Sequence, residues 1–239
     1  MDQVLSFKVV FTGDSGCGKS SIIKRYDSNC KKTDEFIFNK YETSTIGVDY
    51  ISIKKDYILD DNKNCKIKLS IWDTGGQERF KSICRAYYKD IAAAIIVFDM
   101  NNHNSFLNII NWIKEIKRIN INDRLVYVIV GNKSDLVNES EETYYRNECK
   151  LILGQFNIDY IFYETSVKYN SNINECFNDL TEILFNTFIS KYSINKTIKD
   201  IEKIQIDNFS EKNNGINVFK VNIDPLNNSR YRYNRCNRC

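Results

Sequence analysis

The chain has 239 residues, long enough to bury a sizeable core, with 34 basic and 31 acidic side chains, a net charge of +3 and a single histidine, His103. The near-balance of charge gives no ground for expecting a nucleic-acid partner, and one histidine leaves a zinc site or a histidine-based catalytic dyad little to work with. No stretch reaches the roughly 18 apolar residues of a membrane span, and Met1 to Phe7 lacks a secretory apolar region, so the body is expected in the cytosol with its eight cysteines reduced.

The first predicted element is a strand over the apolar run Phe7 to Phe11, followed by Gly13-Asp14-Ser15-Gly16-Cys17-Gly18-Lys19-Ser20 and a helix-compatible stretch from Ser21 to Tyr26. The octet fits G-x-x-x-x-G-K-[ST], a loop whose backbone N–H groups and helix N-terminus face phosphate oxygens. Ser15, Gly16, Cys17, Gly18, Lys19, Ser20 and Ser21 are therefore candidate phosphate-binding residues, with Lys19 reaching the β- and γ-phosphates and Ser20 offering a hydroxyl to magnesium. The competing reading is a glycine-rich turn that binds nothing.

Further along, apolar runs at Ile67 to Trp72, Ala92 to Phe98, Leu125 to Val130 and Tyr160 to Tyr163 predict strands. Phe106, Ile109, Ile110, Ile113, Ile116 and Lys117 predict a helix docked by one face, with His103 at the surface or at a helix start. Ile173, Cys176, Phe177, Leu180, Ile183, Leu184 and Phe188 predict another, with Asn172 and Glu175 in capping-box positions. Strands alternating with helices predict an α/β, doubly wound, mostly parallel sheet. After about Ser190 asparagine, lysine and isoleucine dominate without periodicity. The expected organisation is thus a domain over 1–190 and a tail over 191–239.

Asn132-Lys133-Ser134-Asp135 follows the run Leu125 to Val130, at the carboxyl end of a strand, where open α/β sheets bind ligands. The Asp135 carboxylate can accept from the N1–H and exocyclic amine of guanine, a pair adenine does not offer. By itself the tetrapeptide reads equally as a polar turn; after a phosphate loop and before Glu164-Thr165-Ser166-Val167-Lys168 it reads as a guanine site.

In order, spacing and intervening residues, these motifs resemble the Rab family of small GTPases over roughly residues 5 to 190. The resemblance is carried by Ser44-Thr45-Ile46-Gly47-Val48-Asp49-Tyr50, Lys68-Leu69-Ser70-Ile71-Trp72-Asp73-Thr74, Gly76-Gln77-Glu78-Arg79-Phe80 and Tyr87-Tyr88. It implies a six-stranded sheet flanked by helices, GTP and GDP as ligands, slow GTP hydrolysis and a switch role in vesicle traffic. By the same resemblance, Ser20, Thr45 and Asp73 hold Mg2+, Gly76 senses the γ-phosphate, and Gln77 orients the attacking water while Lys19 assists. Asn132, Lys133, Asp135, Ser166, Val167 and Lys168 would surround the base. Tyr50, Trp72 and Tyr87 would form the effector patch.

Departures from the pattern are informative. Gly75 stands where most Rabs carry alanine, which predicts a second switch loop that orders less readily. Asp27 to Tyr41 and Tyr50 to Ile71 are longer than usual, so Phe36, Phe38 and Tyr41 all remain candidates for the aromatic residue that covers guanine, alongside a merely exposed loop aromatic. A scaffold of the same fold with negligible hydrolysis, and a soluble switch that never reaches a membrane, are the alternatives to a GTP-hydrolysing traffic switch.

The last ten residues carry four arginines, two cysteines and no acid, a composition attracted to anionic membrane surfaces. By resemblance Cys236 and Cys239 are geranylgeranylation candidates, although Rabs usually end in adjacent cysteines or C-x-C. Modification of both cysteines, of Cys236 alone, or of neither all remain open. The partners implied are effectors, an exchange factor, a GTPase-activating protein, GDP-dissociation inhibitor and Rab escort protein, at the cytosolic face of an intracellular membrane.

Overall fold

A computed structural model describes residues 3–31, 36–39, 44–58, 64–76, 81–120, 125–156 and 158–193. Six strands form one sheet: β1 (Gln3–Thr12), β2 (Val48–Ile58), β3 (Asn64–Thr74), β4 (Ala93–Asp99), β5 (Val126–Asn132) and β6 (Tyr160–Thr165), in the order β2-β3-β1-β4-β5-β6. Only β2 runs antiparallel to its neighbour. The helices are α1 (Lys19–Lys31), α2 (Lys81–Arg85), α3 (His103–Leu107), α4 (Ile109–Ile119), α5 (Glu139–Gln155) and α6 (Ile173–Ser193).

Strand alternation divides the core in two. Phe7, Val9 and Phe11 of β1, Ile95 and Val97 of β4, and Val128 and Val130 of β5 point to one face, where α1 and α6 cover them with Ile22, Ile23, Tyr26, Phe177 and Leu180. Val10, Ala94, Ile96, Phe98, Tyr127 and Ile129 point to the other, under Phe106, Ile113 and Ile116 of α3 and α4 and Tyr145 and Leu153 of α5. Covering both faces explains why β4 and β5 read as unbroken apolar runs.

Every predicted strand and the doubly wound architecture are present, and three details differ. The helix expected through Phe106 to Lys117 is divided at Asn108, and Trp112 rather than Ile110 takes the fully buried position. Asn172 occupies the N-cap position of α6, where its carbonyl accepts from Cys176 N–H at 3.1 Å, but its side chain does not cap the helix. Its φ is +57°, and its side chain donates to Glu164 O at 2.8 Å instead of accepting from the first turn of α6. A capping box does occur at α5, where the Asn138 side chain accepts from Ser140 and Glu141 N–H groups and Glu141 returns a bond to the Asn138 N–H. α6 continues to Ser193, beyond the boundary expected at 190.

His103 is exposed and opens α3, as expected. Cys17, Cys84, Cys149 and Cys176 are buried free thiols and Cys30 is an exposed one. Among the described residues no helix is long and apolar enough to cross a membrane. The tail beyond Ser193, with Cys236 and Cys239, lies outside the described residues, as do Tyr41 and Gln77.

Candidate functional site

The loop between β1 and α1 turns on three glycines with positive φ, Gly13, Gly16 and Gly18. Two also make close approaches. A Cβ on Gly13 would sit 2.0 Å from Val97 O of β4, and one on Gly18 would sit 2.2 Å from Asn132 Nδ2. The missing side chain at 18 lets the Asn132 amide donate to Cys17 O at 2.8 Å, while Thr165 Oγ1 donates to Asn132 Oδ1 at 3.2 Å. One buried asparagine thus binds the phosphate loop, the end of β5 and the end of β6 together.

Lys19 is 5% exposed, and its ammonium donates to Gly13 O (2.9 Å) and Asp14 O (2.8 Å). Burial lowers its pKa, since a charge held mainly by neutral carbonyls has lost most of its water. Next to it, Ser20 Oγ lies 2.5 Å from Asp73 Oδ2 and 2.6 Å from Thr45 Oγ1. Burial raises the Asp73 pKa against the opposing Ser20 hydrogen bond and Lys19 charge, and Asp73 Oδ1 is buried with no hydrogen-bond partner among the described residues.

Gly76 lies against the loop so closely that a Cβ would come within 2.5 Å of Ser15 N. Gly75, expected to loosen this segment, is buried, and its N–H donates to Gly47 O at 2.8 Å, joining the segments that follow Thr45 and Asp73. Ser15 Oγ and Ser44 Oγ are 3.2 Å apart.

On the other side, Lys133 adopts a left-handed φ of +66° and pairs with Asp99 Oδ2 at 2.6 Å. Ser166 Oγ donates to Asp135 Oδ1 at 2.6 Å, which orients that carboxylate. Lys168 Nζ sits 4.8 Å from the centre of the Tyr169 ring.

These groups surround one cavity of about 450 Å3, at the carboxyl ends of β1, β4, β5 and β6, lined by the loop from Ser15 to Ser21 apart from Cys17, by Thr45 and Gly76, and by Asn132, Lys133, Asp135, Val167 and Lys168. Three candidates stand behind the wall. Cys17 turns its thiol into the core and offers its carbonyl, Asp73 lies beneath Ser20, and Ser166 acts through Asp135. Phe38 lines the cavity, whereas Phe36 packs on the core with the Arg25 guanidinium 4.7 Å from its ring centre. Asn39, Ser44 and Leu136 also line it and were not anticipated.

Sequence reasoning also missed the support of Asp14. Its two carboxylate oxygens accept from Asn108 Nδ2 (2.7 Å) and Trp112 Nε1 (2.8 Å), fastening the loop to α4. Partners this far away in sequence leave no local signal. The expected aromatic patch is contiguous, with the Trp72 ring 4.8 Å from Tyr50 and 4.6 Å from Tyr87. The Tyr50 hydroxyl meets Ser70 Oγ at 3.3 Å.

A glycine loop between strand and helix, a buried lysine and a doubly wound parallel sheet define a P-loop nucleotide-binding protein. The Ras family profile matches residues 8–186. The chain is also 38% identical over 178 residues to the GTP-binding protein ypt3 of Schizosaccharomyces pombe, covering 74% of this chain and 75% of that relative. The chain belongs to the Ras family and is a Rab-like small GTPase: it binds GTP and GDP, hydrolyses GTP and serves vesicle traffic.

Proposed function

We propose that the cavity is the nucleotide site, with the β- and γ-phosphates over the 13–18 loop and guanine against Asp135. The observation that carries this assignment is the convergence of the buried Lys19 ammonium, the Ser20, Thr45 and Asp73 oxygens and the Ser166-oriented Asp135 carboxylate on one space. Lys19, short of solvation, gains most from an anionic phosphate. Ser15, Gly16, Gly18 and Ser21 line the phosphate end, Cys17 N–H joins them, and Lys133, Val167 and Lys168 flank the base. Phe38 is the aromatic cover.

Two hydroxyls and one carboxylate, one of whose buried oxygens has no partner among the described residues, are the hard, compact donors that magnesium takes. Ser20, Thr45 and Asp73 would hold the ion, Asp73 through a water. When bound, magnesium neutralises phosphate charge. Gln77 orients water for in-line attack on the γ-phosphorus; the bond to the β-γ bridging oxygen breaks, leaving GDP and phosphate. Loss of the γ-phosphate releases Thr45 and Gly76, and the Gly47–Gly75 hydrogen bond couples the two loops.

Tyr50, Trp72 and Tyr87 serve effectors. An exchange factor, a GTPase-activating protein, GDP-dissociation inhibitor and Rab escort protein act on the cycle, and Cys236 and Cys239 carry lipid that holds the protein to the cytosolic face of an intracellular membrane. The test is single-turnover hydrolysis of bound GTP. Turnover is expected near 10⁻⁴ per second, about tenfold or more slower in Gln77→Leu with GTP affinity unchanged. Equal rates in the two proteins would remove Gln77 from the mechanism.

A further inference from the structure

The turn that follows β6 borders the cavity through Val167 and Lys168. Two backbone hydrogen bonds close it, from Ser166 N–H to Ser171 O at 3.3 Å and from Ser171 N–H to Ser166 O at 3.0 Å. Its root is held from the α5 side, where Arg146 Nη2 donates to both carboxylate oxygens of Glu164, at 2.8 and 2.6 Å. Inside the turn the Tyr169 N–H donates to Ser166 Oγ at 3.3 Å, and Ser166 Oγ donates to Asp135 Oδ1 at 2.6 Å. A hydroxyl that already accepts one bond has fewer directions left for its own proton, so the Tyr169 amide helps to aim Ser166 at the carboxylate.

The tip of the turn is tied to α1. Asn170, which follows Tyr169 with a left-handed φ of +56°, accepts at Oδ1 from Asn29 Nδ2 at 2.9 Å and returns a bond from its Nδ2 to Asn29 Oδ1 at 3.4 Å. Asn29 Nδ2 also donates to Asn174 Oδ1 of α6 at 2.9 Å. Both N–H groups and the carbonyl of the Asn29 amide are thus engaged, and all three asparagines are half-buried. The helices are set for this contact: Tyr26, one turn before Asn29, and Phe177, one turn after Asn174, stack with ring centres 3.8 Å apart and planes within 3°. Asn29 is not among the described residues that line the cavity, and it stands roughly 15 Å along α1 from Lys19.

We propose that Asn29 is a positioning residue for guanine recognition: it holds Asn170, Asn170 fixes the adjacent Tyr169 amide, and that amide aims Ser166 and, through it, the Asp135 carboxylate. This rests on guanine lying against Asp135. Guanine offers the carboxylate two donors, N1–H and the exocyclic amine, whereas hypoxanthine offers N1–H alone. A carboxylate that has lost its orientation loses more with guanine, because two bonds at set angles demand more of its direction than one. The ratio of GDP to inosine diphosphate affinity therefore reads the aim of Asp135, and a loss of general stability leaves that ratio where it was. The same link joins the helix that opens at the phosphate loop to the turn that borders the base, so the protein braces the two ends of the site against each other.

The measurement is displacement of a fluorescent GDP from the full-length protein, with magnesium, by GDP and by inosine diphosphate, alongside the thermal midpoint of each variant. The native protein should prefer GDP by about tenfold or more, the effect of one hydrogen bond to a charged group. Asn29→Ala should weaken GDP about tenfold and inosine diphosphate about threefold, so that the preference shrinks about threefold. Asn170→Gly keeps the left-handed backbone and cuts the same link from the turn; it should give the same shift, and Asn29→Ala added to it should change the preference no further. Asn174→Ala removes the other bond of Asn29 and should leave the preference native. A native preference in both Asn29→Ala and Asn170→Gly overturns the proposal whatever the fall in midpoint, as do additive losses in the double variant. An equal loss in Asn174→Ala overturns it too, by assigning the effect to the docking of α1 on α6. A GDP preference that survives Asp135→Ala overturns the placing of guanine against Asp135 instead.

Discussion

At position 18 a single added methyl carbon would fall 2.2 Å from the Asn132 amide nitrogen, at a φ of +92° that side chains rarely adopt. Gly18→Ala should therefore push Asn132 off Cys17 O and distort the loop where phosphate binds. GDP affinity is expected to fall ~100-fold by fluorescent-nucleotide titration, about the effect of leaving two buried polar groups unpaired. Asp14 makes a different kind of prediction. Asp14→Asn turns one acceptor into a donor facing Asn108 or Trp112, removing a charge-assisted hydrogen bond of about 1.5–3 kcal/mol. Release of a fluorescent GDP should quicken about tenfold with a modest loss of thermal stability; unchanged release would mean that α4 does not hold the loop. The motif residues themselves were legible because their chemistry is written in adjacent positions. Asp14 lay inside the same octet, yet its role depends on α4 and could not be read there. That Phe38 lines the cavity while Phe36 does not was equally hidden, since it depends on which ring the core and Arg25 claim.

Among the elements, strands buried on both faces announced themselves as apolar runs, whereas β2 did not. Its sequence, with Lys54, Lys55 and Asp56 in succession, is apolar only at Ile51 and Ile53 on the covered face. α5 was missed because only Tyr145, Cys149 and Leu153 are buried along its 17 residues, a narrow stripe in a polar sequence. The short 3-10 turn at Ala86–Tyr88, after α2, shows what joins elements across the sheet. Tyr88 Oη lies 2.9 Å from Thr12 Oγ1 of β1, and burial pushes the phenol up to about 12. Because the folded value is raised, the contribution is complete below pH 10 and is lost as pH rises toward 12, the unfolded chain giving up its proton first. Tyr88→Phe should cost about 1 kcal/mol at pH 7 and become the more stable protein above about pH 11, where the native tyrosine has lost more than that. Urea unfolding of GDP-bound protein at pH 7, 10 and 11.5 checks the crossover. Parallel curves at all three would show that the Tyr88 hydroxyl is not titrating from a buried state.

At the scale of the whole molecule, the two apolar layers hold the cavity at one end of the sheet, and α6 runs back along β1 to Ser193, with Phe188 packed edge-on against Phe7. Cys236 and Cys239 follow the end of α6 by more than forty residues, so lipidation and nucleotide affinity should vary independently. One lipid gives only marginal, reversible anchoring at about 0.8 kcal/mol per buried methylene, and the arginines of the last ten residues add about 1 kcal/mol each near an anionic surface. Mass spectrometry after incubation with escort protein, transferase and geranylgeranyl donor should find two additions on the native chain, one on Cys236→Ser or Cys239→Ser, and none on the double variant, with GDP affinity the same in all four. A single addition that only Cys236→Ser abolishes would favour the one-lipid ending, and the four arginines would then have to supply the second signal that stable anchoring requires. Raising the salt concentration would release such a protein from vesicles, whereas a doubly lipidated chain would stay until a carrier removed it.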